Sequence, residues 1–362
     1  MVLLSFILEL TYFKIILLLS LLLLSYLVSQ PFLSHIRPLV PLPVINIVAL
    51  LLLAFIFGMN NSGVVVGPLV SSGFRYRRSI VIAIIGFALG LLLEGHKTGY
   101  NILTINAISN RVDIVRSIIL LITLVALLVS SYIGIPTSMV NILFASYIGA
   151  IMGMNPEYYN EHISKQVLIT IIFWIVLPFI AFFLSMIVHR TVLYNVRLLG
   201  LISVSKFYSI ALQLALFYAA YTIGSNNLGL LYSIGYDVSS ISYDLYGITL
   251  MAILLFAFAL GMINGERVSK FIGEDMIGLT PARVLGSILT SSITLWIATQ
   301  MRIPSSFLHL LICSLLGVGI TIKPSVYNRK HITLLLTSWI FLTLISFIAS
   351  FMLNSMVSLL VK

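Results

Sequence analysis

The hexapeptide Gly58-Met59-Asn60-Asn61-Ser62-Gly63 returns in the second half of the chain as Gly224-Ser225-Asn226-Asn227-Leu228-Gly229. Each copy, called here the first and the second asparagine motif, ends a long apolar run. Glycines on both sides of an Asn pair give the backbone unusual freedom, so a helix is predicted to break there and leave amide N–H groups without intrahelical partners. At membrane depth such a break is tolerated only where it is buried in protein or lines a wet cavity.

Two further pairs of segments repeat in the same order. Phe87-Ala88-Leu89-Gly90 matches Phe258-Ala259-Leu260-Gly261. Ile135-Pro136-Thr137-Ser138, the first proline segment, matches Ile303-Pro304-Ser305-Ser306, the second proline segment. Each match is short, but three matches in one order, with nearly the same separation along the chain, indicate an internal repeat. The chain is therefore predicted to consist of two similar halves.

Composition places these halves in a lipid bilayer. Of the 362 residues, 60% are hydrophobic and 8% are charged, and the mean hydropathy is +1.15, which leaves too few polar groups for an aqueous surface. Apolar runs of roughly 20 residues, the length that crosses a bilayer, recur along the chain. We expect an all-α polytopic membrane protein with about 10–12 transmembrane segments, the first near 15–34. Residues 1–34 could be a cleaved signal peptide, but no small-residue cleavage pattern follows them and further spans do, which favours a retained span.

The loop charges favour inverted topology for the two halves. Five expected spans separate the two asparagine motifs, and an odd number reverses the orientation. The loop after the first motif holds Arg75, Arg77 and Arg78, whereas the loop after the second holds Asp237 and Asp244 without Lys or Arg. This contrast fits opposite membrane faces, with the arginine loop in the cytoplasm. The net charge of +10 is then explained by loop orientation, and we expect no nucleic-acid partner.

The repeat and the loops together predict a division of the chain. Residues 1–57 are the N-terminal spans that lead into the first repeat, and 58–188 are its core. Residues 189–206 are a basic cytoplasmic linker. Residues 207–322 are the core of the second repeat, with its own asparagine motif and proline segment, and 323–362 are the C-terminal span.

The repeated residues suit an anion. Proline fits the first turn of a helix, and a helix N-terminus carries about half a positive charge and binds phosphate-like anions. Inverted repeats with discontinuous helices, meeting near the bilayer midplane, are a recurring transporter architecture. No Lys or Arg falls within the four motifs, so a neutral cage is predicted. Its candidate substrate-binding residues are Asn60, Asn61, Ser62, Thr137, Ser138, Asn226, Asn227, Ser305 and Ser306. Hydrogen bonding between helices is the alternative role for each of them.

Three other residues are candidates for ion coupling or for support of the site. Asn141 and His309 occupy equivalent places, each a short distance after its proline, and His309 is either a packed, hydrogen-bonded imidazole or a proton carrier. Glu94 ends a span, where it either pairs with Lys97 or relays a proton. A sodium ion near Asn60 and Asn226 is a further possibility, because hard cations accept neutral oxygen ligands.

From about Phe57 to Ile320 these motifs resemble the inorganic phosphate transporter (PiT) family, whose halves each carry a G-A-N-D-type and a P-x-S-[ST]-T-H-type signature. The resemblance implies a phosphate permease driven by sodium or protons, with the Asn pairs and proline segments lining the site and a homodimer as the assembly. Asn61 and Asn227 stand where the family usually has Asp. Loss of both carboxylates weakens the attraction for a driving cation and lessens the repulsion of a divalent anion, so phosphate and sulfate both stay open.

Other function classes find less support in the sequence. An intramembrane enzyme would need a nucleophile and base pair, a His-Glu metal cluster or a phosphate-loop lysine, and none is found. Rings of Lys or Arg would favour an anion channel, and none is apparent in the sequence. A non-transport binding protein would use the same cavity. The single Cys313 excludes intrachain disulfides. We therefore predict a secondary anion permease with several spans in the plasma membrane.

Overall fold

The computed structural model describes residues 42–99, 112–133, 135–154, 161–196, 201–235, 245–266, 280–321 and 329–360, together with Ser20. All regular elements in these ranges are helical, as predicted. The span expected near 15–34 lies outside the described residues except for Ser20.

The first half contains seven α-helices within the described ranges. They are α1 (Leu42–Asn61), α2 (Gly67–Ser71), α3 (Tyr76–Glu94), α4 (His96–Gly99), α5 (Val112–Ile133), α6 (Met139–Met154) and α7 (Glu161–Val196). A π-helical turn, Ser62–Val66, joins α1 to α2 without a break. The helix α7 contains Pro178.

The second half follows the same plan. Its described helices are α8 (Leu201–Ile223), α9 (Gly229–Gly235), α10 (Leu245–Ile263), α11 (Pro281–Gln300), α12 (Phe307–Ile320) and α13 (Arg329–Leu360). A second π-helical turn, Gly224–Leu228, joins α8 to α9. The helix α7 ends at Val196 and α8 begins at Leu201, so the predicted linker at 189–206 includes the end of one helix and the start of the next.

The helix lengths agree with the predicted membrane spans. Within the described ranges, eight helical stretches are long and apolar enough to cross a bilayer, and the two shorter apolar helices are α6 and α12. The eight long stretches lie where spans were expected, whereas α6 and α12, with 16 and 14 residues, are shorter than the roughly 20 residues that cross a bilayer. Each of the two short helices directly follows a proline segment.

The two halves exchange packing partners reciprocally. The helix α1 packs against α10, and α3 packs against α8. A Cβ added to Gly58 would meet the carbonyl oxygen of Phe258, and one added to Gly224 would meet that of Phe87. These contacts join repeat counterparts in swapped order, which is what an approximate two-fold axis between the halves produces.

An aromatic contact lies where this axis would pass. The counterparts Phe87 and Phe258 are both buried, and their ring centroids are 4.6 Å apart in an edge-on arrangement. Phe57 packs on the same Phe258 ring at 5.5 Å. The reciprocal packing therefore supports the predicted repeat, while its inversion across the membrane stays a prediction.

At the asparagine motifs the structure differs from the expected helix break. The helical path continues through Asn60 and Asn61, and a π-helical turn follows directly. The second motif lies within the other π-helical turn. Such turns keep most backbone groups paired while displacing side chains, and they are frequent at functional sites. The true interruptions lie at the two proline segments.

Candidate functional site

The two proline segments are buried stretches without helical hydrogen bonding that lead into the N-termini of α6 and α12. The Ser138 hydroxyl accepts a hydrogen bond from the N–H of Asn141 at 3.3 Å, and the Ser306 hydroxyl accepts one from the N–H of His309 at 3.4 Å. Both serines therefore cap the helix that follows them, a favoured role for this residue type. The remaining N–H groups of each first turn carry the partial positive charge of the helix dipole.

In the first half, Asn60 holds the proline segment through its backbone. With the side-chain amide oriented so that both of its polar atoms are satisfied, Nδ2 donates to the carbonyl oxygen of Thr137 at 3.2 Å, and Oδ1 accepts from the N–H of Thr137 at 3.3 Å. The Thr137 hydroxyl lies 2.8 Å from that of Ser130. The fold thus brings together Asn60 and Thr137, which lie on separate spans.

In the second half, Asn226 does the same work with more partners. Its Oδ1 accepts from the N–H of Ser305 at 3.0 Å. Its Nδ2 donates to the carbonyl oxygen of Ile303 at 3.0 Å and to the hydroxyl of Thr299 at 3.0 Å. Ser305 is the repeat counterpart of Thr137, so the same amide-to-backbone contact is built twice.

The second residue of each Asn pair is placed differently. The Nδ2 of Asn61 donates to the carbonyl oxygen of Phe57 at 2.9 Å, one turn earlier in the same helix. The Oδ1 of Asn227 is buried and has no hydrogen-bond partner among the described residues. A buried oxygen without a donor carries a desolvation cost of about 1–3 kcal/mol.

Asn141 and His309 occupy equivalent places but have different surroundings. The Oδ1 of Asn141 accepts from the Ser138 hydroxyl at 2.9 Å. The imidazole of His309 lies against the indole of Trp339 on α13, with ring centroids 3.8 Å apart. Its Nε2 is buried without a hydrogen-bond partner among the described residues. The first half thus has a compact polar cap where the second half has an aromatic stack.

Two candidates lie apart from the proline segments. The Ser62 hydroxyl donates to the carbonyl oxygens of Met59 and Gly265, both at 2.7 Å, which makes it a contact between the halves. The carboxylate of Glu94 lies 2.8 Å from the Lys97 ammonium, and both groups also bond to Gln300. The ion-pair alternative for Glu94 is therefore what the structure contains.

Several residues of this region were missing from the predicted set. Thr98 donates to the carbonyl oxygens of Ser225 and Asn226 at 3.2 and 2.8 Å, and Trp174 donates to that of Pro304 at 2.9 Å. Thr299 was detectable, because a hydroxyl residue, Ser131, lies at the matching repeat position. Thr98 and Trp174 lie outside the repeated motifs.

Arg302 introduces strain and charge beside the second proline segment. Its φ is 59°, in the left-handed region, and it is the one non-glycine residue with positive φ among the described residues. Its repeat counterpart is Gly134, the residue type that adopts this conformation at least cost. The exposed Arg302 lines a cavity of about 240 Å³ together with Tyr147, Gln166 and Pro304. A non-glycine residue in this conformation carries a backbone cost of about 1–3 kcal/mol.

Other titratable groups near Arg302 lie at the ends of neighbouring helices. His96, which lies between spans, has its pKa lowered from the ordinary value, first by burial and then by the positive charge of Lys97. Glu94 opposes this shift, and Arg302 adds to it. His96 is therefore mostly neutral at pH 7, and the charge of Lys97 is balanced by its ion pair with Glu94.

Metal coordination by acidic or thiolate clusters finds no support in the described ranges, where no group of three or more His, Cys, Asp or Glu side chains converges. Any cation bound at this site would have to be held by amide, hydroxyl and carbonyl oxygens. Those are ligands that a hard monovalent or divalent cation accepts.

Comparison with known proteins points to one family. Residues 200–350 match the sequence profile of the phosphate transporter family. A protein of Methanocaldococcus jannaschii named "Putative phosphate permease" is 24% identical over 307 residues, which cover 84% of this chain and 94% of that protein.

The fold has a solved counterpart. A structure described as "The sodium-dependent phosphate transporter" superimposes with a TM-score of 0.68 at 15% sequence identity, and the match covers 88% of this chain and 100% of the other. This match shows that the two chains share a fold. The expected resemblance to the phosphate transporter family is confirmed, in sequence over residues 200–350 and in fold over most of the chain.

Proposed function

We propose that the protein is a secondary active transporter of inorganic phosphate, with the two proline segments and the N-termini of α6 and α12 forming its substrate site. One observation carries the proposal: Asn60 and Asn226 each bind the backbone N–H of the residue that follows the proline. The same contact occurs in both halves, so each half positions one helix N-terminus in the same way. The names of the relatives, both of which refer to phosphate, support the substrate class.

The asparagines and the serines then have separate roles. Asn60 and Asn226 hold the proline segments, and Ser138 and Ser306 cap the helices, so the oxyanion would meet the remaining first-turn N–H groups and the hydroxyls of Thr137 and Ser305. Such groups complement a dispersed negative charge without a fixed cation. A site of this kind binds the anion while still allowing release, which a transporter needs.

Sodium is the coupling ion that we favour. The orphaned Oδ1 of Asn227 is a neutral oxygen at the position where the phosphate transporter pattern usually has a carboxylate. The solved relative is described as sodium-dependent. Proton coupling is the alternative. Because Glu94 forms an ion pair with Lys97, His309 is the remaining candidate for the proton carrier.

Sulfate is the alternative substrate, because replacing both carboxylates by Asn61 and Asn227 removes repulsion that a permanently divalent anion would meet. An anion channel and a non-transport binding protein are the remaining alternatives. We further propose that the protein resides in the plasma membrane and forms a homodimer. Crosslinking in native membranes followed by mass determination tests the dimer, and it is rejected if only single chains are recovered.

Uptake into proteoliposomes tests the proposed function. Labelled phosphate and labelled sulfate are supplied with an imposed sodium gradient, with an imposed proton gradient, or with neither. We expect phosphate to accumulate above its outside concentration only with the sodium gradient. Accumulation of sulfate alone would replace the substrate, equilibration without a gradient would favour a channel, and uptake of neither anion would reject the transporter.

Variants connect that uptake to the site. Asn60→Ala, Asn227→Ala and Ser306→Ala are each expected to lower the rate of phosphate uptake while the protein still inserts into the membrane. The matched control is Asn264→Ala, because the Asn264 amide is exposed and bonds to the Leu260 carbonyl oxygen one turn earlier. Normal uptake in all three site variants would reject the site while leaving phosphate transport itself intact.

A further inference from the structure

A second basic region lies away from the proline segments, at the start of α3. Arg75, Arg77 and Arg78 line a cavity of about 590 Å³ together with Gly73, Phe74 and Ser209. We call this cavity the arginine pocket. It lies between the candidate spans Leu42–Ser71 and Tyr76–Glu94, and Ser209 contributes from the span Val204–Gly235. When these spans cross a bilayer, the pocket is at the polar surface of the membrane.

The charges of the arginine pocket are not neutralised by the described part of the protein. All three arginine side chains are exposed, and within the described ranges none of them has an ion pair or a hydrogen bond to an acidic group. Three like charges at one helix start repel each other, so a bound anion would stabilise the arrangement. Arg75 is the residue before α3 and its side chain does not cap the helix, so uncapped first-turn N–H groups add to the positive field.

Below the arginine pocket, α3 presents an apolar stripe to the outside. Arg78, Val81 and Ile85 follow each other at spacings of three and four residues and therefore share one helix face. Val81 is 58% exposed and Ile85 is 50% exposed. This face is opposite to the one that contains Ala83, Gly86 and Gly90 and packs inside the protein. The positively charged arginine pocket is thus followed directly by an exposed apolar surface, formed by Val81 and Ile85.

We propose that the arginine pocket binds the headgroup phosphate of an anionic phospholipid, whose acyl chain lies along Val81 and Ile85. Bidentate arginine contacts suit phosphate oxygens, and clusters of basic residues at a membrane surface attract anionic lipid. A free phosphate ion would use the arginines but not the apolar stripe. The stripe is the observation that selects the lipid, and it stands independently of the proposed transport function.

Native mass spectrometry of the full-length protein in detergent tests this proposal. Phosphatidylglycerol, which is anionic, and phosphatidylcholine, which is zwitterionic, are titrated separately into the wild-type protein, into Arg77→Gln/Arg78→Gln and into the control Arg190→Gln/Lys330→Gln. Both double variants lose two exposed positive charges, but the control leaves the arginine pocket intact. A last titration with phosphatidylglycerol contains free inorganic phosphate as a competitor.

We expect the wild type to bind phosphatidylglycerol more tightly than phosphatidylcholine, and Arg77→Gln/Arg78→Gln to weaken phosphatidylglycerol binding by roughly 30-fold. The control should change it by less than about twofold. Equal affinity of the wild type for both lipids would overturn the proposal without reference to any variant. Equal losses in both double variants would show a general charge effect, and displacement of the lipid by millimolar phosphate would show an ion site; either result overturns it as well.

Discussion

The two halves hold their proline segments with the same asparagine but with unequal support. Asn60 bonds to the backbone of Thr137, whereas Asn226 bonds to Ser305, Ile303 and Thr299. The carbonyl oxygen of Asn226 is also bonded by Thr98. Where the first half has Gly134 and Asn141, the second has Arg302 and His309. The difference indicates that the first proline segment, which has fewer contacts, is the easier one to move.

The largest effect is expected from breaking the packing that both halves share. In Gly90→Ala and Gly261→Ala the new methyl would meet the backbone carbonyl of Tyr221 and of Phe55, respectively. Backbone cannot rotate away, so each change should destabilise the fold by about 3 kcal/mol or more. The thermal unfolding midpoint of purified protein measures this.

Gly286→Ala is the matched control for the glycine pair, because the nearest atom to its new methyl would be the Cβ of His189 at 3.3 Å. It should change the midpoint little. If only one of Gly90→Ala and Gly261→Ala is destabilising, the halves are not packed reciprocally.

The next effect separates the two asparagines. Asn226→Ala removes the bonds to Ser305, Ile303 and Thr299 and leaves the Ser305 N–H unpaired, which should cost about 2–4 kcal/mol. Asn60→Ala removes the pair of bonds to Thr137 and should cost about 1–2 kcal/mol. Phosphate uptake should fall at least about tenfold in Asn226→Ala and less in Asn60→Ala. An equal or reversed order in both stability and uptake would show that the extra partners of Asn226 contribute nothing.

Replacing the second Asn of each pair by Asp tests whether the two halves differ in sodium binding. Asn227→Asp places negative charge at the orphaned oxygen, so the sodium concentration for half-maximal uptake should fall about tenfold. Asn61→Asp places a carboxylate against the Phe57 carbonyl oxygen that the amide now contacts, so it should not improve the sodium response. Sodium titration of uptake by both variants decides this, and a gain for Asn61→Asp alone would assign the cation to the first half.

The smallest effect concerns Arg302. Arg302→Gly gives the second half the residue of the first, relieves the positive φ and removes a cation from the mouth of the cavity. The KM for phosphate should rise about threefold at low ionic strength and less at high salt, because exposed charge is screened. Arg302→Lys keeps the charge and should keep the KM. If the KM of Arg302→Gly is unchanged at low salt, the Arg302 side chain has no role in substrate capture.

Much of the fold could be predicted because its signals are local. Apolar runs predicted the eight described spans and the two shorter apolar helices, and the repeat located the asparagine motifs and proline segments. The pairing of Asn60 with Thr137 and of Asn226 with Ser305 was not predictable from spacing, since each contact joins residues on separate spans that are far apart in the chain. Glycine content alone predicted a break at the motifs, but tertiary packing instead keeps the helix going through a π-helical turn.

The roles of single polar residues depended on neighbours that the sequence does not reveal. Ser62 lies in the motif but bonds to Gly265 across the halves, so a shared motif did not imply a shared site. Thr98 belongs to the short helix α4 of the first half and bonds to the second. Hydroxyls in membrane helices serve packing as well as binding, and only the position of the partner distinguishes the two.

The exchange of α1 with α10 and of α3 with α8 has a consequence for assembly. Neither half contains a closed bundle, because the surface around Gly90 is completed by α8 and the surface around Gly261 by α1. A polypeptide of half this length would therefore reach a finished core only by associating with a second copy. In the full chain the two halves are covalently joined, so they always associate. Each half can then diverge in sequence, as the difference between Gly134 and Arg302 shows.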